Sequence, residues 1–134
     1  MANVIDIEGI GEVYAQKLRE KGVATTETLL EQRATPHGRK ELAEKTGISD
    51  RLILKWVNRA DLFRLEGVGE QYSDLLAAAG VETVLELAQR RADHLHQKIV
   101  ETNEAKNLVR VVPRPEQVAD WVEQAHKLPR VVSY

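Results

Sequence analysis

The chain has 134 residues, 43% of them hydrophobic and 30% charged, with a net charge of −2. That length suits one compact domain or two very small ones, and the mix suits a soluble globular protein rather than one coating nucleic acid over its whole surface. The absence of cysteine excludes disulfides, thiolate metal sites and cysteine nucleophiles. The single Phe, two Trp and three Tyr leave Leu, Val, Ile and Ala to build the core. The opening M-A-N-V-I-D-I-E carries no basic region, and no apolar run reaches membrane-spanning length. These features predict a cytoplasmic protein with no membrane partner.

The first element, N-V-I-D-I at 3–7, is strand-prone. It leads into I-E-G-I-G-E-V-Y-A-Q-K-L, where two glycines flank one apolar residue and make a tight turn. A helix follows. Val13, Tyr14 and Leu18 share one face, while Lys17, Arg19 and Lys21 lie elsewhere. Gly22 ends this helix in a left-handed cap. Thr25 caps a second helix, and Thr35 with Pro36 opens a third. Gly47 closes the third, and Ser49 caps D-R-L-I-L-K-W-V-N-R-A-D-L. That fourth helix runs straight into a second turn, L-E-G-V-G. The plan then repeats through Gly80, Thr83, a cap at Asp93, and Pro115 opening the last helix. The tail R-V-V-S-Y at 130–134 is again β-prone, and is expected to lie close to the N-terminus.

The repetition is dense. A shift of 58 pairs Glu8, Gly9, Gly11, Glu12 and Tyr14 with Glu66, Gly67, Gly69, Glu70 and Tyr72. It continues through Leu18 and Leu76, Gly22 and Gly80, and Thr25 and Thr83. A shift of 65 then pairs W-V-N-R-A at 56–60 with W-V-E-Q-A at 121–125, so the second copy carries about seven extra residues, around Val111–Gln117. Residues 1–64 form one unit, and residues 65–134 form the second with its short C-terminal tail. The first holds 11 basic and 10 acidic residues; the second holds 8 and 11. Any polyanion contact therefore belongs in the first half.

In each turn the second glycine opens a helix whose first backbone N–H groups lack intrahelical partners, which suits an anion. The pattern Ile7, Gly9, Ile10, Gly11, Ala15, Leu18 resembles the helix-hairpin-helix family. So does Leu65, Gly67, Val68, Gly69, Ser73, Leu76. Thr46, Gly47, Ile48 and Ser49 resemble the companion hairpin in the N-terminal domain of archaeal and eukaryotic recombinases. The tandem ending in W-V-E-Q-A-x-x-L-P-R-V-V is similar to the bacterial domain-of-unknown-function family 4332, over nearly the whole chain. These resemblances imply an all-α fold: two tandem helix-hairpin-helix units packed as one compact helical domain. They also imply sequence-independent DNA binding through turn amides and nearby bases. By position, the candidates are Gly9, Ile10 and Gly11 with Lys17 and Lys21. The companion turn adds Gly47, Ile48 and Ser49 with Arg51 and Lys55, and the second copy adds Gly67, Val68 and Gly69.

Glu8, Glu12, Glu66 and Glu70 oppose that reading. A like charge a few Å from a phosphate costs on the order of 1–4 kcal/mol, although a glutamate there also complements the helix dipole. The second copy has Leu75 where the first has Lys17, which makes its turn the poorer site. Trp56, Trp121, Tyr14 and Tyr72 read as core. His37, His94, His96 and His126 lack metal-ligand spacing, and no catalytic constellation occurs. The expectation is a non-enzymatic protein without metal, cofactor or small-molecule substrate. Two functions stay open. One is a double-stranded DNA-binding module. The other is a protein–protein adaptor, self-association included, in which the hairpins are scaffold; it predicts an exposed apolar patch near V-V-P-R-P or V-V-S-Y.

Overall fold

Eight α-helices make up the computed structural model, which describes residues 2–134. They are α1 Glu12–Glu20, α2 Thr26–Arg33, α3 Pro36–Thr46, α4 Asp50–Leu62, α5 Glu70–Ala78, α6 Val84–Ala88, α7 Ala92–Lys106 and α8 Pro115–Lys127. Among the described residues there is no strand, so the fold is all-α. The strand-prone stretch at 3–7 forms a 3-10 helix over Val4–Asp6, with one isolated antiparallel bridge between Asn3 and Thr25. Asp6 explains the difference. Its carboxylate accepts the Asn3 N–H at 2.9 Å, and its own N–H returns to the Asn3 carbonyl at 2.9 Å, which curls the segment.

The helix boundaries follow local chemistry. The hydroxyls of Thr25, Thr35, Ser49 and Thr83 each accept the N–H three residues on. Gly47 adopts φ +75° and closes α3. Asp93 is not the cap of α7: Arg91 is, and Asp93 lies in the first turn, its carboxylate accepting the His94 N–H at 2.9 Å.

The chain divides into two compact units, Met1–Asp61 with Arg130–Tyr134, and Leu62–Pro129. The sequence division placed the tail in the second unit; the structure groups it with the first. Val132 is buried there, and the Ser133 N–H donates to the Ala34 carbonyl at 2.9 Å. The Arg39 guanidinium donates to the Ser133 carbonyl at 2.6 Å and to the Ala34 carbonyl at 2.7 Å, while the Tyr134 hydroxyl meets Asn58 at 2.8 Å. The tail thus closes the α2–α3 corner, whereas the N-terminal segment bonds to Ala24 and Thr26. Burial lowers the Arg39 pKa, partly offset by Asp50, and raises that of the Tyr134 phenol.

The first unit buries Leu18, Leu29, Leu42, Ile53 and Trp56. The second buries Leu65, Leu76, Leu87, Leu95 and Trp121 around α8, which packs against α6 and α7. No helix among the described residues is long and apolar enough to cross a membrane.

Candidate nucleic-acid interface

The turn before α1 is built on Trp56. Ile10 is buried, and its N–H closes a tight turn on the Ile7 carbonyl at 3.0 Å. That closure requires Gly9 at φ +95°, where a Cβ would sit 3.6 Å from the Trp56 indole nitrogen. Tyr14 tilts against the same indole, with ring centroids 5.2 Å apart. The second turn repeats the arrangement. Gly67 has φ +87°, its Cβ would lie 3.2 Å from the Trp121 indole nitrogen, and the Tyr72 and Trp121 centroids are 5.4 Å apart. Both Trp residues are buried, as their spacing predicts, and each is in addition the floor of its turn, which the spacing does not show.

The second glycine of each turn behaves differently. Gly11 has φ −90° and ψ −173°, and Gly69 has φ −103° and ψ −160°. Any residue adopts such extended backbone. A Cβ at either position would meet nothing within 4 Å. Both are N-cap positions, where Ser, Thr, Asp or Asn would satisfy an orphan N–H, yet α1 and α5 have no side-chain cap. Neither conformation nor space demands glycine at these two positions.

The other turn amides are partly occupied. Besides Ile10, the Val68 N–H bonds to the Leu65 carbonyl at 3.2 Å, and the Gly47 N–H to Ala43 at 2.9 Å. The Ile48 N–H bonds to the Thr46 hydroxyl at 3.2 Å. Ser49 is the α4 cap. The Ile10, Gly47, Ile48 and Val68 amides are therefore already taken within the protein.

Four of the candidate cations of the first unit stand open to solvent. Lys17, Lys21, Arg51 and Lys55 are exposed, and none makes an ion pair among the described residues. Arg51 and Lys55 lie one turn apart, on the roughly 10 Å of α4 between the Ser49 cap and Trp56 under Gly9. Glu12 is answered by Arg19 at 3.3 Å, both side chains being exposed. Val13, expected on the inward face with Tyr14, is 71% exposed; Ala15 takes the buried position. Elsewhere in the unit, hydrogen bonds from Lys45 and Arg33 hold the Glu41 carboxyl below its ordinary pKa.

The second turn lacks such cations. Leu75, Leu76 and Ala79 are buried, and α5 packs against α7. Lys17 and Lys21 correspond to Leu75 and Ala79, so the face that is cationic and open in the first unit is apolar and covered in the second. Gln124 further ties down the second turn. Its amide oxygen accepts the Glu66 N–H at 2.8 Å and its amide nitrogen donates to the Glu66 carbonyl at 3.2 Å. Nothing in the sequence pattern links Gln124 to Glu66. No group of three or more His, Asp or Glu side chains among the described residues is placed to hold a metal ion.

The chain belongs to the family described as a domain of unknown function (DUF4332), whose family model matches residues 8–128. That span covers both turns and α8 and stops short of the tail. No curated protein and no solved structure matches the chain.

Proposed function

We propose that the protein is a non-enzymatic DNA-binding module, and that its first unit holds a backbone phosphate at the N-terminus of α1. The resemblance of I-E-G-I-G to the helix-hairpin-helix pattern motivates the reading. The observation that carries it is Gly11: glycine stands at an uncapped helix N-terminus where the fold requires none. A missing side chain leaves the Glu12 and Val13 amides bare to a ligand's backbone. Lys17, Lys21, Arg51 and Lys55 supply the counter-charge, without base-specific contacts. The turn at Gly67–Gly69 is scaffold in this reading. Fluorescence anisotropy with a short duplex, over a salt series, tests it. Affinity should fall steeply with salt and drop about 100-fold or more in the Lys17→Glu, Arg51→Glu double variant. Absence of binding at low salt would end the proposal.

A second reading, a protein–protein adaptor, is favoured by a different observation. Leu108 is 39% and Val111 72% exposed on the segment before α8.

A further inference from the structure

The segment between α7 and α8 is extra to the repeat. The first unit joins its corresponding helices through Gly47, Ile48 and Ser49 alone. Yet this added loop is braced like a site. The Asn103 side chain bonds Val109 twice, accepting its N–H at 2.9 Å and donating to its carbonyl at 3.1 Å. The Tyr72 hydroxyl donates to the Val111 carbonyl at 2.9 Å, and His96 Nε2 donates to the Pro113 carbonyl at 3.0 Å. Val109 and Pro113 are buried as plugs, and Asn107 takes the left-handed turn at φ +50°. The bracing fixes a loop that holds Leu108 and Val111 out in solvent.

The charge of the loop is one-sided. From 106 to 114 it carries Lys106, Arg110 and Arg114 and no acid. Lys106 and Arg110 make no ion pair among the described residues, and Arg114 has only an exposed 4.0 Å contact with Glu116, which contributes little. A rigid loop loses little conformational freedom on binding. A phosphate backbone would match the cations but offer nothing to Val111. Two aliphatic side chains without an aromatic are also a weak membrane anchor. A polypeptide carrying carboxylates beside an aliphatic side chain matches both features.

We infer that the Lys106–Arg114 loop is a preformed docking surface for an acidic, aliphatic-bearing segment of a partner protein. Arg110 and Lys106 would engage its carboxylates, and Val111 with Leu108 its apolar side chain. The inference rests on the adaptor reading and is independent of DNA binding by the first unit. The test is selection of a random-peptide phage library on the immobilised full chain, with depletion on an Arg110→Glu, Val111→Asp double variant. Both positions are exposed, so the variant should keep the wild-type circular-dichroism melt. Enriched peptides should carry Asp or Glu next to Leu, Ile or Val. A synthesised one should bind the variant about tenfold or more weakly. Enriched peptides without acids would overturn the chemistry and leave an adaptor role standing. No enrichment over the variant would overturn both. Loop-dependent binding to anionic vesicles or duplex DNA would also overturn the proposal.

Discussion

Gly9 rests over Trp56 as Gly67 rests over Trp121, with a tyrosine tilted on each indole, yet the helices leaving the two turns meet different surroundings. After the first, Lys17 and Lys21 face solvent. After the second, Leu75 and Ala79 face the protein, and α5 lies against α7. The second turn is also clamped by Gln124 and has the tighter glycine–indole approach. One backbone motif is thus set in two different surroundings. The first glycine of each turn is required by the fold. The second is dispensable to it, and only in the first unit does the helix that follows carry exposed lysines, Lys17 and Lys21, where the other has buried Leu75 and Ala79.

The sharpest break in the comparison concerns stability. Alanine at Gly9 or Gly67 must hold a positive φ, which costs roughly 1–2 kcal/mol. At Gly67 the new methyl also presses on Trp121 at 3.2 Å, against 3.6 Å for Gly9 on Trp56. Chemical denaturation should therefore find Gly67→Ala the more damaging. Next, Gln124→Ala removes both side-chain bonds to the Glu66 backbone and should cost about 1–2 kcal/mol. Native-state hydrogen exchange would show the Glu66 amide losing protection. The smallest effect is electrostatic. Glu12→Gln removes a negative charge beside the proposed phosphate and should tighten duplex binding by about 1 kcal/mol, near fivefold. Glu70→Gln should leave binding unchanged in the same anisotropy assay.

Much of this architecture could be read from the residues. The Thr25, Thr35, Ser49 and Thr83 caps, the Pro36 and Pro115 openings and the Gly47 stop depend on chemistry within a few positions, and the repeat placed both Trp residues inside. What escaped depended on contacts between distant positions. The Asn3–Asp6 bonds curl a β-prone segment. Val132 and Ser133 dock on the α2–α3 corner, close to 100 residues away in sequence. The clamp of Gln124 on Glu66 spans 58 residues. Within the candidate site, the free cations were legible as a solvated face. That Ile10, Ile48 and Val68 bond their amides internally was not, because turn closure is set by backbone geometry rather than residue type.

The most direct test of the central claim uses Gly11 and Gly69 together. Each is replaced by alanine in the full chain, and thermal stability and duplex affinity are measured on the same samples. Both variants should melt near wild type, since alanine is a poorer N-cap than glycine by no more than about 1 kcal/mol. Only Gly11→Ala should lose DNA affinity. Equal affinity in wild type and Gly11→Ala, or equal loss in both variants, would contradict it.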